Sequence, residues 1–404
     1  MTSKDLEHIV TSHLMNYAEE NHLLFCNQHG FRKNRGCDKQ LVEFVADISS
    51  NLVKGIQTEA CVMDFSKAFD KVNHQKLITK LENKGVCYQI CSWVEEFLSN
   101  RSQQVAVEGS LSSTAAVTSG VPQGSVVRPT LFLFYIDDLP QGLHSTVRLF
   151  ADDTILYNTE NNSIKLQADL KTLEGWEKTW DMEFHPAKCQ HISFTRKTKP
   201  PQHSLSLHDM EIPRTDEVKY LGVTMDSKLR WNKHIPDIAT KANNTLGFIR
   251  RNVTTTNEEV KSLAYKQLVK PVLEYACCSW DSLTSTQETS LEAVQRRAAR
   301  FVCGVRRSDR KTSVTGLVHS LGWEQLGERR KERRLKLFRE MHFADSDTIT
   351  KHIQPATHHL TRRHGHQYLI PHVKTQHHQR SFFMKTAKDW NALPPSSSLL
   401  APPG

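Results

Sequence analysis

The sequence predicts an α+β unit followed by an all-helical block, and three observations carry that reading. Up to about residue 226, stretches with helical periodicity alternate with short β-prone runs, several of them spaced as hairpins. Beyond Asn232 only helical periodicity remains, over about 235 to 252, 257 to 277, 287 to 303 and 323 to 342. With 404 residues, 38% of them hydrophobic, the chain is long enough for a large core and more than one compact unit. The change of character sets a domain boundary near residue 226.

The elements follow in order. Lys4 to Leu24 places Leu6, Ile9, Val10, Leu14, Tyr17 and Ala18 on one face of a helix. Gln28 to Cys37, Q-H-G-F-R-K-N-R-G-C, is a loop punctuated by Gly30 and Gly36. The guanidinium forks of its Arg32 and Arg35 suit phosphate oxygens, and read equally well as solvated loop charges. Asp38 to Leu52 is helical, and Glu59 to Phe65 is a strand ending on Asp64. Asn73 caps a helix that runs to about Glu82 and stops at Gly85; a second helix covers Ile90 to Leu98. Gln103 to Val107 and Ala115 to Thr118 pair as strands. Gly120 to Ser125, G-V-P-Q-G-S, then opens an apolar helix, Thr130 to Leu139. Its small residues allow a close backbone approach to a ligand, but it lacks the lysine and spacing of a nucleotide P-loop. Leu149 to Tyr157, L-F-A-D-D-T-I-L-Y, reads as a tight hairpin with Asp152 and Asp153 lifted to its tip. Ile164 to Trp180 is helical, Gln190 to Thr195 is a strand, Lys197 to Pro201 begins a polar connector, and Val218 to Met225 is strand-like.

Charge is placed unevenly. The formal net charge is +9, and Gln295 to Glu340 alone holds fourteen Lys or Arg against five Asp or Glu, so the rest of the chain is about neutral. That points to a local basic surface with a polyanionic partner, or to a solvated basic helix face. Nine cysteines without a C-x-x-C framework suggest neither a zinc ribbon nor a disulfide scaffold, and fit a reducing compartment. No apolar run approaches the roughly 18 to 20 residues that span a bilayer, and no signal peptide opens the chain. The expectation is a soluble, intracellular protein of the cytoplasm or nucleus, neither secreted nor membrane-bound.

Asp64 at a strand end and Asp152 and Asp153 at a hairpin can meet at one sheet edge. Hard carboxylate oxygens of this kind suit magnesium, and a pair of such ions supports in-line phosphoryl transfer. Taken alone, Asp152-Asp153 is more simply a polar turn, and a nuclease or cyclase would use the same ligands.

The blocks Q-H-G-F-R, M-D-F-S-K-A-F-D-K-V, S-G-V-P-Q-G-S, F-A-D-D and K-Y-L-G-V, in this order, closely resemble the reverse transcriptase of non-LTR (LINE-like) retrotransposons. The resemblance covers nearly the whole chain. It implies a right-hand polymerase palm with partial fingers (1–226) and an all-helical basic thumb (227–345); composition rich in His, Gln, Pro and Arg with weak periodicity makes 346–404 a loosely ordered tail except near Phe382, Phe383 and Trp390, which are expected to dock. By the same resemblance Asp64 and Asp152 ligate two Mg2+ ions, or Mn2+ in their place, with the Phe65 carbonyl, while Asp153 supports the site. Phe69 matches the aromatic gate that excludes a ribose 2′-hydroxyl, although it also reads as a core aromatic. Arg32 or Arg35 would hold the incoming triphosphate, Gln123 and Gly124 would pack on the nascent pair, and Lys188 would protonate departing pyrophosphate. Tyr220, Leu221 and Gly222 match the primer grip. The partners implied are an RNA template, a DNA primer and deoxynucleoside triphosphates, with the basic thumb tracking phosphates.

Three departures from the family pattern stand out. Arg128 replaces a usual glycine, and a long cation there would obstruct the template path. Asp181 and His185 stand where glycine and asparagine are usual, which affects the loop before Lys188. The chain also begins shortly before Q-H-G-F-R, as a copy truncated at the amino terminus would, without an endonuclease domain. The first reading is therefore an RNA-directed DNA polymerase; the second is a catalytically inactive remnant that binds nucleic acid. A two-metal nuclease leaves G-V-P-Q-G-S and Y-L-G-V without a role. Eight histidines between His352 and His378 lack tetrahedral metal spacing, so a solvated or nucleic-acid-contacting tail is expected there.

Overall fold

The computed structural model of the chain describes residues 3–159, 163–306, 309, 313–344, 346–356, 365–372 and 376–402. In order, the chain forms α1 (Ser3–Glu20), α2 (Cys37–Val53), β1 (Thr58–Met63), α3 (His74–Asn83) and α4 (Tyr88–Leu98). Four two-residue strands follow, β2 (Ser102–Gln103), β3 (Ala106–Val107), β4 (Ser110–Leu111) and β5 (Ala115–Ala116), and then α5 (Arg128–Ile136). The hairpin β6 (Thr146–Phe150) and β7 (Asp153–Thr159) precedes α6 (Ser163–Trp180), β8 (Gln190–Phe194), β9 (Ser206–Leu207) and β10 (Met210–Glu211). A last hairpin, β11 (Glu217–Tyr220) and β12 (Val223–Asp226), leads into helices. The mixed α+β half and helical half are as expected, but Val218 to Met225 is two strands around a turn rather than one strand.

Two compact units result. The first comprises residues 1–40, 57–193 and 198–218, and the second residues 41–56, 194–197 and 219–404. The early segment 41–56 thus belongs with the helical half, a grouping invisible in chain order. The first unit is built on a four-stranded sheet of order β6-β7-β1-β8. β1 and β7 pair antiparallel from Thr58–Thr159 to Met63–Thr154. Both are apolar in their middles, as central strands covered on two faces must be. Helix α5 is buried at seven consecutive residues, Thr130 to Ile136, which explains why it is apolar all round. The Asn73 side chain accepts from Lys76 N at 3.1 Å and starts α3. On β1 itself the buried Glu59 accepts from His191 and Ser193, each at 2.6 Å, and from Gln57 at 2.5 Å.

The second unit contains α7 (His234–Asn252), α8 (Glu258–Ala264), a π-turn over Tyr265–Val269, α9 (Lys270–Glu274), α10 (Cys277–Trp280), α11 (Ser285–Val302), α12 (Val314–Ser320), α13 (Leu326–Ala344), α14 (Ser346–Thr350), α15 (Gln376–Gln379) and α16 (Phe382–Asn391). The single helix expected over 257 to 277 is broken. Pro271 has no N–H to donate and its ring crowds the carbonyl one turn back, and just ahead of it Lys270 N reaches Tyr265 O in the wider π pattern. Phe382, Phe383 and Trp390 are buried on α16, as expected of docking residues. The described parts of the tail are more ordered than composition suggests: Asn391 exchanges two hydrogen bonds with the Tyr368 backbone, at 3.0 and 2.8 Å, and Trp390 Nε1 donates to His366 O at 2.7 Å. His358, His359 and His364 lie outside the described residues. No helix among the described residues is long and apolar enough to cross a membrane.

The basic stretch also differs from a solvated face. On α13, Arg330 and Arg334 are 1% exposed, and their Nε atoms donate to the two oxygens of buried Asp281 at 2.6 and 2.8 Å. Lys385 adds a third cation to Asp281 at 2.8 Å, while Arg329 and Arg333 converge on Glu274. Much of the charge on this helix is therefore neutralised inside the unit.

Candidate active site

Three carboxylates meet at the end of the β1/β7 pair. The hairpin register closes on Phe150–Asp153, so the two-residue connection is Ala151-Asp152, one residue earlier than expected, and Asp153 opens β7. Continuing the β1/β7 register one step beyond Met63–Thr154 sets Asp64 beside Asp153. Asp64 to Ser66 is then pinned to the segment before Lys188: His185 N donates to Asp64 O at 2.8 Å and Ser66 N to Glu183 O at 2.7 Å. Phe65 stacks on Phe184 with centroids 4.0 Å apart, fixing the backbone whose carbonyl was expected to be a ligand.

Ala151 sits at φ +54°, a left-handed conformation that costs an alanine about 1–2 kcal/mol. One side chain holds it there. Gln28 Oε1 accepts from Ala151 N at 2.9 Å and from Gly30 N at 2.8 Å, while its Nε2 donates to Ala151 O at 3.3 Å. A Cβ on Gly30 would lie 2.3 Å from Ala151 N, so only glycine fits. The Q-H-G stretch is thus the brace of the aspartate turn, a role that its loop-like composition does not reveal.

The carboxyls feel one another. Asp152 is raised above the ordinary carboxylate range, first by burial and then by the Asp64 charge, against a lowering pull from Arg128. Asp153 keeps an exposed edge, yet the packed hairpin mouth, Asp152 and Asp64 together push it up to about 6. Lys188 Nζ lies 3.8 Å from Asp64 Oδ1. Among the described residues no three Asp, Glu, His or Cys side chains close into a finished ligand cage. The donor set nevertheless fits a hard divalent cation, because like-charged oxygens with raised proton affinity are what such an ion stabilises.

Phe69 lies beside this cluster in a short 3-10 turn, Ala68–Asp70. Its ring stacks on Phe132 at 4.1 Å and meets the edge of Phe31 at 6.5 Å. Arg128, whose long side chain was expected to obstruct the template path, lies over the Phe69 ring at 4.6 Å and reaches Asp70 at 3.8 Å. Gly120 is forced by contact: at φ +84° it approaches Asp70 so closely that a Cβ would meet the carbonyl oxygen at 2.8 Å. Gln123 and Gly124 are exposed on the same loop, Gly124 at φ +82°. At the other departures, Asp181 adopts a left-handed conformation, φ +54°, and is held by Lys76 at 2.7 Å and Asn73 at 2.9 Å. His185 has its Nδ1 buried without a hydrogen-bond partner among the described residues.

The loop arginines part company. Arg32, expected as a triphosphate ligand, has its fork filled by Glu19 at 2.7 and 2.6 Å and by the Phe25 carbonyl at 2.8 Å, so it is a brace and not a free clamp. Arg35 donates to the Cys26 carbonyl and keeps more solvent access. In the second unit Tyr220 is buried against Phe44, centroids 6.0 Å apart. Leu221 and Gly222 form the turn, at φ +44° and +78°, and Tyr275 donates to Leu221 O at 2.9 Å.

Residues 1–225 match the family model of the reverse transcriptase (RNA-dependent DNA polymerase). The chain is 26% identical over 326 residues to the probable RNA-directed DNA polymerase from transposon X-element of Drosophila melanogaster, covering 77% of this chain and 36% of that protein. It is 27% identical over 320 residues to the RNA-directed DNA polymerase from mobile element jockey of Drosophila funebris, covering 74% and 34%. The chain thus spans about a third of the length of these curated relatives. Among solved structures, apo telomerase from Candida tropicalis aligns over 86% of this chain and 54% of its own, at 10% identity and a TM-score of 0.45.

Proposed function

Since the chain belongs to the reverse transcriptase family, in its non-LTR retrotransposon branch, we propose that it is an RNA-directed DNA polymerase that extends a DNA primer with deoxynucleotides on an RNA template. The observation that carries this is the juxtaposition of Asp64, just past the end of β1, with Asp152 and Asp153 at the β6/β7 turn, the latter two raised in proton affinity and Asp64 flanked by Lys188.

Asp64 and Asp152, with the Phe65 carbonyl, would hold two magnesium ions, or manganese in their place, and Asp153 would support them. Such ions, when bound, supply charge stabilisation for attack at phosphorus and for the leaving pyrophosphate. The chain's own residues do the rest. The primer 3′-hydroxyl passes its proton to solvent water and bonds to the α-phosphorus while the bond to pyrophosphate breaks, and Lys188 gives the departing pyrophosphate a proton. Phe69, wedged between Phe132 and Arg128, occupies the place of a ribose 2′-hydroxyl. Arg35 is the loop cation that takes the triphosphate, Gln123 and Gly124 pack on the nascent pair, and Tyr220 to Gly222 seat the primer. Substrates of this kind belong inside the cell, in cytoplasm or nucleus.

A second reading, nucleic-acid binding without catalysis, draws on Arg128 lying across Phe69. Primer extension on RNA with magnesium, then manganese, separates the two. Extension by the parent and none by Asp152→Asn supports the polymerase; activity only in Arg128→Gly identifies a blocked gate. Inactivity of all three, with primer-template binding retained, establishes the second reading.

A further inference from the structure

Arg128 is the first residue of α5, where a cation opposes the positive end of the helix dipole. Its side chain, 16% exposed, turns back onto the preceding loops. The guanidinium carbon lies 4.6 Å from the centre of the Phe69 ring, and Nη2 lies 3.8 Å from Asp70 Oδ1, longer than a hydrogen bond. Among the described residues this guanidinium donates no hydrogen bond. Its fork is therefore unfilled, unlike that of Arg32, and its chief contact is an aromatic face.

The backbone under that ring is already fixed. Val121 N donates to Phe69 O at 3.0 Å, Gly120 N to Val72 O at 2.8 Å and Ser119 Oγ to Asp70 O at 3.0 Å. What remains to be set is rotation of the Phe69 side chain about its own torsions. Phe132 stacks on it at 4.1 Å, and Arg128 stands one helical turn before Phe132, so a single helix carries both contacts. Phe31 meets the ring edge-on from an exposed loop position and is the weaker support. A ring that swung away would break the stack and the cation contact together.

We propose that Arg128 is a positioning residue for sugar selection: anchored by Asp70, it clamps the Phe69 ring in the space of a ribose 2′-hydroxyl and so sharpens the preference for deoxynucleotides. The inference rests on the polymerase reading of the chain and gives Arg128 a part in it other than obstruction. A steric gate discriminates only as far as it refuses to move, and glycine, the usual residue of the family pattern at this position, has no side chain to place over the ring.

Two measurements on the full chain test this. In the first, para-fluorophenylalanine replaces Phe69 and its fluorine resonance is recorded without nucleic acid, nucleotide or metal. Arg128→Met, which keeps an apolar stem and loses the cation, should shift and narrow the line, and Arg128→Lys, which keeps a cation, should shift it less. A line unmoved by Arg128→Met overturns the clamp. In the second, single-nucleotide primer extension on RNA compares a deoxyribonucleotide with its ribonucleotide. The ratio of their kcat/KM values should fall about tenfold in Arg128→Met, through a lower KM for the ribonucleotide, while Arg128→Lys keeps most of it. Asp70→Asn, which removes the anchor, should move the ratio in the same direction. Adding Arg128→Met to Phe69→Ala should change the ratio no further, because the ring through which Arg128 acts is gone. An unchanged ratio overturns the proposal, and equal gains for both sugars would make Arg128 an obstruction instead. For a parent that extends no primer, the same ratio is read as nucleotide Kd in the complex with a dideoxy-terminated primer. A parent that binds neither sugar removes the polymerase reading and the sugar role with it, and the fluorine line shows separately whether Arg128 holds the ring.

Discussion

Arg32 and Gln28 show what a motif conceals. Both belong to Q-H-G-F-R, and in both the side chain turns inward. Gln28 serves three backbone groups with one amide, and Arg32 is clasped by Glu19. Arg32→Ala should therefore cost about 1.5–3 kcal/mol of stability in denaturant unfolding, the range for hydrogen bonds to a charged group. The KM for deoxynucleotide should not move in the protein that still folds. A raised KM at unchanged stability would restore the triphosphate role to Arg32. The aspartates were legible through the ordered blocks they share with the rest of the chain, since Asp152-Asp153 alone is more simply a polar turn, whereas the brace was not, since nothing local marks Gln28 as the partner of a turn 123 residues away.

At the level of elements, caps and helix periods were legible where the signal was local, whereas the hairpin of β11 and β12 reads as one strand and the aspartate turn as one residue later than it lies. Asn73 at the start of α3 and Gly85 after its end are examples of the former. The π-turn before Pro271 was missed because apolar spacing continues through it, although the proline itself was a usable sign. Charge on α13 was legible as charge but not as pairing, because Asp281 and Glu274 lie about fifty residues away. Removing a partner from that cluster leaves buried cations unpaired. Asp281→Ala should destabilise the protein by about 3–5 kcal/mol, measured by thermal or denaturant unfolding, while a simultaneous apolar replacement of Asp281, Arg330 and Arg334 should recover much of the stability. Recovery absent, or a change within about 0.5 kcal/mol for the single substitution, would contradict the cluster's structural role.

For the whole molecule, pH provides a global reading. Burial pushes His29 down to about 2 and His234 down to about 4, and each has a ring nitrogen buried without a partner among the described residues. An unfolded histidine titrates near 6.5, so below that pH the unfolded chain binds protons that the folded chain refuses. Stability should fall as pH drops from about 6.5, by about 1.4 kcal/mol per pH unit for each group once the unfolded form is protonated. Asp153, raised to about 6, acts with the opposite sign over part of this window. The comparison to make is the melting temperature between pH 6.5 and 5 for the parent and His234→Gln, and the variant should show the shallower decline. Equal slopes would mean that His234 is protonated in the folded state.

The clasp of Gln28 on Ala151 carries a consequence for time rather than energy. The β6/β7 hairpin joins neighbours along the chain and can form within microseconds, but its brace arrives from a segment made long before it on the ribosome. Until that distant loop closes, the aspartate turn has strands without a fixed tip. The acidic corner thus takes its final shape only once the Gln28 loop has closed on the hairpin.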